Sequence, residues 1–329
     1  MSISRLRGDV QKTLADFLWD EWAQMGVSAS TSRRDTWATD PEALLLLTFE
    51  VGRGEPRLFE EVLDWMLVNE KLLSVQRLRN LAVDEEDRRL VEAVLGWLGQ
   101  NRRRARLGSR SPKTEGQPQP FFRGSRLQVT DPDPAFLALG FLRPPAEPSG
   151  KSQAPDLRLP INFAFRLRLL LGVSVRAEVA RALLTVDSPW MNVQALAEST
   201  AYAKRNVQEA AGSLSAAGFV EWMVVGNEYR YKANARWGEF LAIDRPPGTQ
   251  DWPQLFRAYR LVLRWLFNRT TQGLSDYLLL SGARTLIEEI ERDLLFAGVG
   301  VNAQESTRDL PAFEGFIRGF LRDSLSVEL

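Results

Sequence analysis

The sequence predicts a mainly α protein with one small β-hairpin near its middle, and three observations carry that prediction. Apolar residues recur at helical spacing through the first hundred residues and again after residue 250. Residues 193–232 change from helical periodicity to two short β-rich runs around Gly226-Asn227-Glu228, a compact polar turn. Residues 102–155 break the pattern, being first rich in Arg and then in Pro, Gly and Ser. The expected division is an N-terminal helical domain over 1–101, a linker over 102–155, a central domain over 156–245 and a C-terminal helical domain over 246–329.

The first expected helix is 10–25, with Leu14, Phe17, Leu18 and Trp22 on one side. Thr39-Asp40-Pro41-Glu42 is a helix start, with a capping side chain, Pro in the first turn and an acid at the positive dipole end. Further helices are predicted over 43–51, 57–68, 75–82 and 85–98. Glu85-Glu86-Asp87 and Glu288-Glu289 read as solvated helix faces. The stretch from Arg102, Arg103, Arg104, Arg106 and Arg110 onward holds too little apolar surface to offset its ordering entropy, apart from a helical island over 134–141.

Residues 161–171 fit either a helix or a strand, and Leu170 and Leu171 favour the helix. Ser174 caps a helix over 175–186. After Arg245-Pro246-Pro247-Gly248, helices are expected over 253–267, near Tyr277, over 284–296 and over 311–325. The tryptophans fall mostly at core positions of these elements.

Composition excludes several chemistries. The chain has 329 residues, 44% of them hydrophobic, with no Cys and no His. Disulfides, thiolate nucleophiles, imidazole shuttles and zinc fingers are therefore out of reach, and no metal site, cofactor or enzymatic activity is expected. There is no signal pattern and no run of eighteen apolar residues, so the expectation is a soluble, cytoplasmic protein with no membrane partner. Formal net charge is zero. Residues 102–151 nonetheless carry 10 basic against 4 acidic side chains, and residues 152–248 carry 11 against 9. Gly124-Ser125 followed by Asp131-Pro132-Asp133 resembles the paired-carboxylate signature of polymerase-β-like nucleotidyltransferases. Pro132 and Pro134 bar the rigid strand that this chemistry needs.

In the central stretch, Val193, Leu196 and Ala197 begin a short helix, and a polar turn follows over 199–202. Val207, Ala211 and Leu214 then place one face of a longer helix inward, and Gly218 stands where a C-cap glycine belongs. With Leu196-Ala197, the opening at residues 203–205, Val207, Leu214 and the Gly218-Phe219-Val220 exit, the stretch resembles the winged helix-turn-helix regulators of the MarR and ArsR type. The resemblance covers about a quarter of the chain. It implies that the second helix enters a major groove of double-stranded DNA.

On that resemblance the DNA-contacting residues are Tyr202, Lys204, Arg205, Asn206, Gln208 and Glu209, with Arg230, Lys232 and Arg236 from the wing region. Lys204 and Arg205 occupy a first turn where the helix dipole disfavours cations by roughly 0.3–1 kcal/mol each, which suggests a phosphate or guanine partner. Gln208 suits adenine, and Glu209 suits either cytosine or an ion pair with Arg205. Asn206 and Tyr202 suit the DNA backbone.

The implied function is a sequence-specific DNA-binding transcriptional regulator, a repressor acting as a homodimer. The arrangement also resembles bacterial antitoxin-like regulators associated with nucleotidyltransferase toxins. The alternative is therefore an antitoxin-like or scaffold protein whose winged helix and helical domains bind a protein partner.

Overall fold

Helical amphipathicity organises the N-terminal third into five helices: α1 (Ile3–Met25), α2 (Pro41–Val51), α3 (Pro56–Asn69), α4 (Val75–Leu81) and α5 (Glu85–Asn101). The computed structural model describes residues 3–31, 36–101, 117–124, 128–186, 190–270, 273–296 and 298–325. Asp40 caps α2 by accepting the Ala43 N–H at 3.1 Å, with Pro41 in the first turn. Hydrophobic α2 is enclosed on all sides, every residue from Pro41 to Val51 being buried. Around it the Trp22 and Trp65 rings lie 4.9 Å apart, and their indole N–H groups donate to Thr48 Oγ1 at 2.8 Å and to the Met25 carbonyl at 2.7 Å.

The stretch expected as a linker is packed in part: Phe121, Phe122, Phe136, Leu139, Phe141 and Arg143 are buried, while residues 117–120 and most of 144–151 are exposed. Strand β1 (Gln119–Pro120) pairs in parallel with β2 (Phe141–Leu142), on either side of the one-turn helix α6 (Pro134–Leu137). Phe121, Phe136 and Phe141 are buried in the N-terminal core, which offsets the ordering cost that composition alone left uncompensated. Asp133 caps α6 by accepting the Ala135 N–H at 2.9 Å. The Arg run at 102–110 and Ser125 lie outside the described residues.

The central segment runs α7 (Phe163–Leu171), α8 (Val175–Thr185), β3 (Met191–Asn192), α9 (Val193–Thr200), α10 (Lys204–Ala216), β4 (Val220–Val225), β5 (Glu228–Ala233) and α11 (Arg236–Leu241). The three strands form an antiparallel sheet in the order β3-β5-β4. Residues 161–171 resolve to a short 3-10 turn leading into α7, the helical alternative. A second apolar core lies here, built on Leu167, Val179, Leu196, Val207, Leu214 and Trp237.

Among the described residues, four further helices follow: α12 (Trp252–Thr270), α13 (Asp276–Phe296), α14 (Ala303–Ser306) and α15 (Leu310–Leu325). The helices expected near Tyr277 and over 284–296 are one continuous α13. The C-terminal helices do not form a separate core. Trp252 and Phe256 pack on Phe17 of α1, at ring distances of 6.5 and 6.0 Å, and one continuous core spans both ends of the chain. Glu85-Glu86-Asp87 is a solvated face only in part, Glu85 being exposed and Glu86 half-buried. Asp87 is fully buried and pairs with Arg260 at 2.9 Å and with Arg264, both on α12. Among the described residues no helix is long and apolar enough to cross a membrane.

Candidate nucleic-acid interface

The site begins with the way α10 is aimed. Val207 and Ala211 are fully buried, Leu214 is nearly so, and Leu196 of α9 packs in the same core. That inward face leaves Lys204, Arg205, Asn206, Gln208 and Glu209 exposed on the opposite side. At the far end Gly218 has φ +79°, and the Phe219 N–H reaches back to the Leu214 carbonyl at 3.0 Å, the closing bond of a Schellman cap. The N-cap position holds Ala203, which makes no side-chain bond, so side-chain caps leave the first-turn N–H groups open to an external acceptor.

The turn between α9 and α10 is shorter than the sequence suggests, since α9 continues through Thr200. Ala201 adopts a left-handed conformation, φ 56°, which costs a non-glycine residue roughly 1–2 kcal/mol. Helix α4 holds it there. Arg77 Nε donates to the Thr200 carbonyl and Asn80 Nδ2 to the Ala201 carbonyl, each at 2.8 Å, while Arg181 Nη2 of α8 donates to the Ser199 carbonyl at 3.2 Å. Tyr202, expected to touch DNA, is instead half-buried, and its hydroxyl lies 2.8 Å from Ser74 Oγ at the start of α4. It serves the docking of the module onto the helical body.

Behind the turn is a buried network of three arginines and three carboxylates. Arg77 forks onto Asp40 and also reaches Glu42 at 2.9 Å. Arg168 bridges Glu42 and Glu178, each at 2.6 Å, and Arg181 bonds Glu178 at 3.0 Å. All six side chains are at most 4% exposed, so three positive and three negative charges balance one another in a buried site. Burial alone would push the carboxyls towards neutrality, but the facing guanidiniums hold Asp40 and Glu178 below the usual carboxylate range. None of these six side chains is legible as part of a network from local sequence. A local hint exists: Arg168 and Glu178 are charged residues on apolar helical faces, where an unpaired charge would be prohibitive.

The three cations expected to act from the hairpin region divide differently. In β5, Arg230 and Lys232 alternate with buried Tyr231, so they leave the sheet on the face away from α10. Arg236 lies against Gly218, at the opposite end of α10 from Lys204. The structure thus gathers Lys204, Arg205, Asn206, Gln208 and Glu209, and separates them from all three of these cations. Within the cluster Arg205 Nε bonds Glu209 at 3.0 Å, an exposed pair worth only about 0.3–0.5 kcal/mol. Trp222 departs from the core placement expected of most tryptophans and is 56% exposed on β4.

Beside the turn, a cleft of about 300 Å³ opens between α9 and the start of α12, lined by Arg181, Glu198 and Asp251 among others. Burial raises the Asp251 carboxyl to about 6; Asp40 and Glu198 add to the rise, and Arg181 opposes it. A carboxyl raised in the folded state destabilises once ionised. Stability should therefore fall as pH rises from about 4 through 6. Asp251→Asn is expected to raise stability by roughly 1–2 kcal/mol at pH 8 and to leave it unchanged at pH 4. Urea unfolding at both pH values reads this directly, and equal gains at both would contradict it.

No known protein family, curated protein or solved structure matches the chain.

Proposed function

We propose that residues 175–233 form a winged helix and that the chain is a sequence-specific DNA-binding transcriptional regulator with α10 in the major groove. The observation that carries this reading is the first turn of α10, where exposed Lys204, Arg205 and Gln208 surround a helix start without a side-chain cap. The order α8-β3-α9-α10-β4-β5 and the sheet order β3-β5-β4 support it, being the arrangement in which a second helix stands free for a groove. The clamp on residues 199–202 contributes by fixing how α10 leaves the helical body.

A second reading is favoured by the wing itself. Trp222, Met223, Val224, Val225 and Tyr229 are all substantially exposed, an apolar surface suited to protein rather than to a phosphate backbone. Under that reading the module docks a protein partner.

Titration of the full chain against a selected duplex and a scrambled one separates the two. Arg205→Ala is expected to weaken specific binding by about 1–3 kcal/mol and to relax one base position. The pair with Glu209, worth at most about 0.5 kcal/mol, is easily exchanged for such a contact. Lys232→Ala, on the opposite sheet face, is expected to change affinity by less than about 0.5 kcal/mol. Absence of any sequence-selective binding by the folded chain would leave the protein-docking reading.

A further inference from the structure

The exposed edge of the wing sheet has the properties of a self-pairing strand. β4 is the outer strand of the three, and from Glu221 to Val225 every residue is exposed. Its sequence, VEWMVV, contains no Pro, no Gly and no Lys, the residues with which proteins usually blunt such an edge. Asn234 donates to the Phe219 carbonyl, which places the odd-numbered residues of β4 in hydrogen-bonding register with β5. Alternation then turns the N–H and C=O groups of Trp222 and Val224 outward, away from β5.

We propose that β4 pairs antiparallel with β4 of a second copy of this chain, symmetrically about Met223. That register alone pairs the whole exposed run 221–225 with itself. It places Trp222 opposite Val224 of the second copy, where their outward amides exchange hydrogen bonds, about four in all. The same register lines up Tyr231, Trp222, and the second copy's Val224 and Tyr229 across one sheet face, extending the Trp222–Tyr229 ring contact already present at 5.7 Å. Charge permits it: Glu221 is the single charged residue of β4, lies opposite Val225 of the second copy, and has Lys232 as its partner position on β5.

The pairing is isologous and stops at two copies, because the other edge of the sheet, β3, is only two residues long. A two-fold axis through the sheet keeps both α10 helices on one side of it. This proposal does not rest on DNA binding.

Cysteine placement tests the register, since the chain has no other Cys. Across a non-hydrogen-bonded antiparallel pair the Cα atoms stand about 4.5 Å apart, within disulfide range. Met223→Cys is therefore expected to cross-link as a dimer with oxidised glutathione. Glu221→Cys and Val225→Cys, each about 13 Å from its own symmetry mate, should not cross-link alone but should when mixed. In sedimentation without DNA, Trp222→Lys should weaken association of the otherwise unaltered chain at least about tenfold. A chain that sediments as a monomer at micromolar concentration, a dimer indifferent to Trp222→Lys, or Glu221→Cys cross-linking as readily as Met223→Cys would each overturn the pairing. None of these outcomes bears on α10 and DNA, so the two proposals fail separately.

Discussion

Replacing Arg77 by Met is expected to lower stability by about 3–5 kcal/mol, far more than a surface substitution, because it strands buried Asp40 without its main counter-charge and leaves Glu42 with Arg168 alone. The six charges are buried and balanced, so removing one partner leaves an uncompensated carboxylate. The loss has a second, local component. Arg77 also holds the Thr200 carbonyl, and with it the left-handed Ala201 that sets the direction of α10. Amide exchange at residues 200–204 should accelerate beyond what global unfolding accounts for. Arg77→Lys, which keeps the charge but loses the fork onto Asp40, should fall between Met and the native side chain. Urea unfolding with exchange measured by residue decides it: a loss below about 1 kcal/mol would mean the network is not the link between body and module.

That link explains how two apolar cores behave as one frame for the site. The larger core spans both ends of the chain, and the smaller lies under α8, α9, α10 and the sheet. Their junction is polar and fully satisfied at Arg77, Arg168 and Arg181, so orientation is set by directional bonds and not by interchangeable apolar contacts. A second buried network inside the larger core joins Glu50 of α2 to Arg123 and to Arg264 of α12. Burial opposes ionisation of Glu50, yet Arg123, Arg264 and Arg53 hold its carboxyl at about 2.

What was legible in the sequence was local. The Val207, Ala211, Leu214 spacing gave the buried face of α10, and Gly218 gave its end, because both follow from the geometry of a single helix. The hairpin was legible for the same reason: Gly226, at φ +63°, and Asn227 form the two-residue loop between Val225 and Glu228. What failed was whatever depended on residues distant in sequence. Tyr202 was assigned to DNA, and its partner proved to be Ser74, 128 positions away. Asp87 looked like a solvated acid because Arg260 and Arg264 approach it from the other end of the chain. Arg230 and Lys232 carry the right charge on the sheet face away from α10, which became clear only once the register placed Tyr231 inward.

The same distinction makes Phe121→Ala a decisive substitution. Composition places Phe121 in a linker, and an exposed linker residue changed to Ala alters stability by no more than about 0.5 kcal/mol. In the structure its ring is fully buried, with centroids 4.8 Å from Phe59, 5.0 Å from Phe122 and Phe136, and 5.6 Å from Phe141. Deleting it empties a space bordered by four aromatic rings, beside a stretch of backbone already held by other bonds. Arg53 donates to the Phe121 carbonyl at 3.2 Å, and Arg123 donates to the Arg53 carbonyl at 2.6 Å. Collapse into the gap is resisted, so the expected loss is about 3–5 kcal/mol by urea unfolding. Gln119→Ala, two residues earlier and exposed, should cost less than about 0.5 kcal/mol. Because the ring lies in the larger core and not under α10, the folded Phe121→Ala chain should retain the DNA selectivity proposed for the native protein. A loss below about 1 kcal/mol would return this segment to a linker that merely lies against the body.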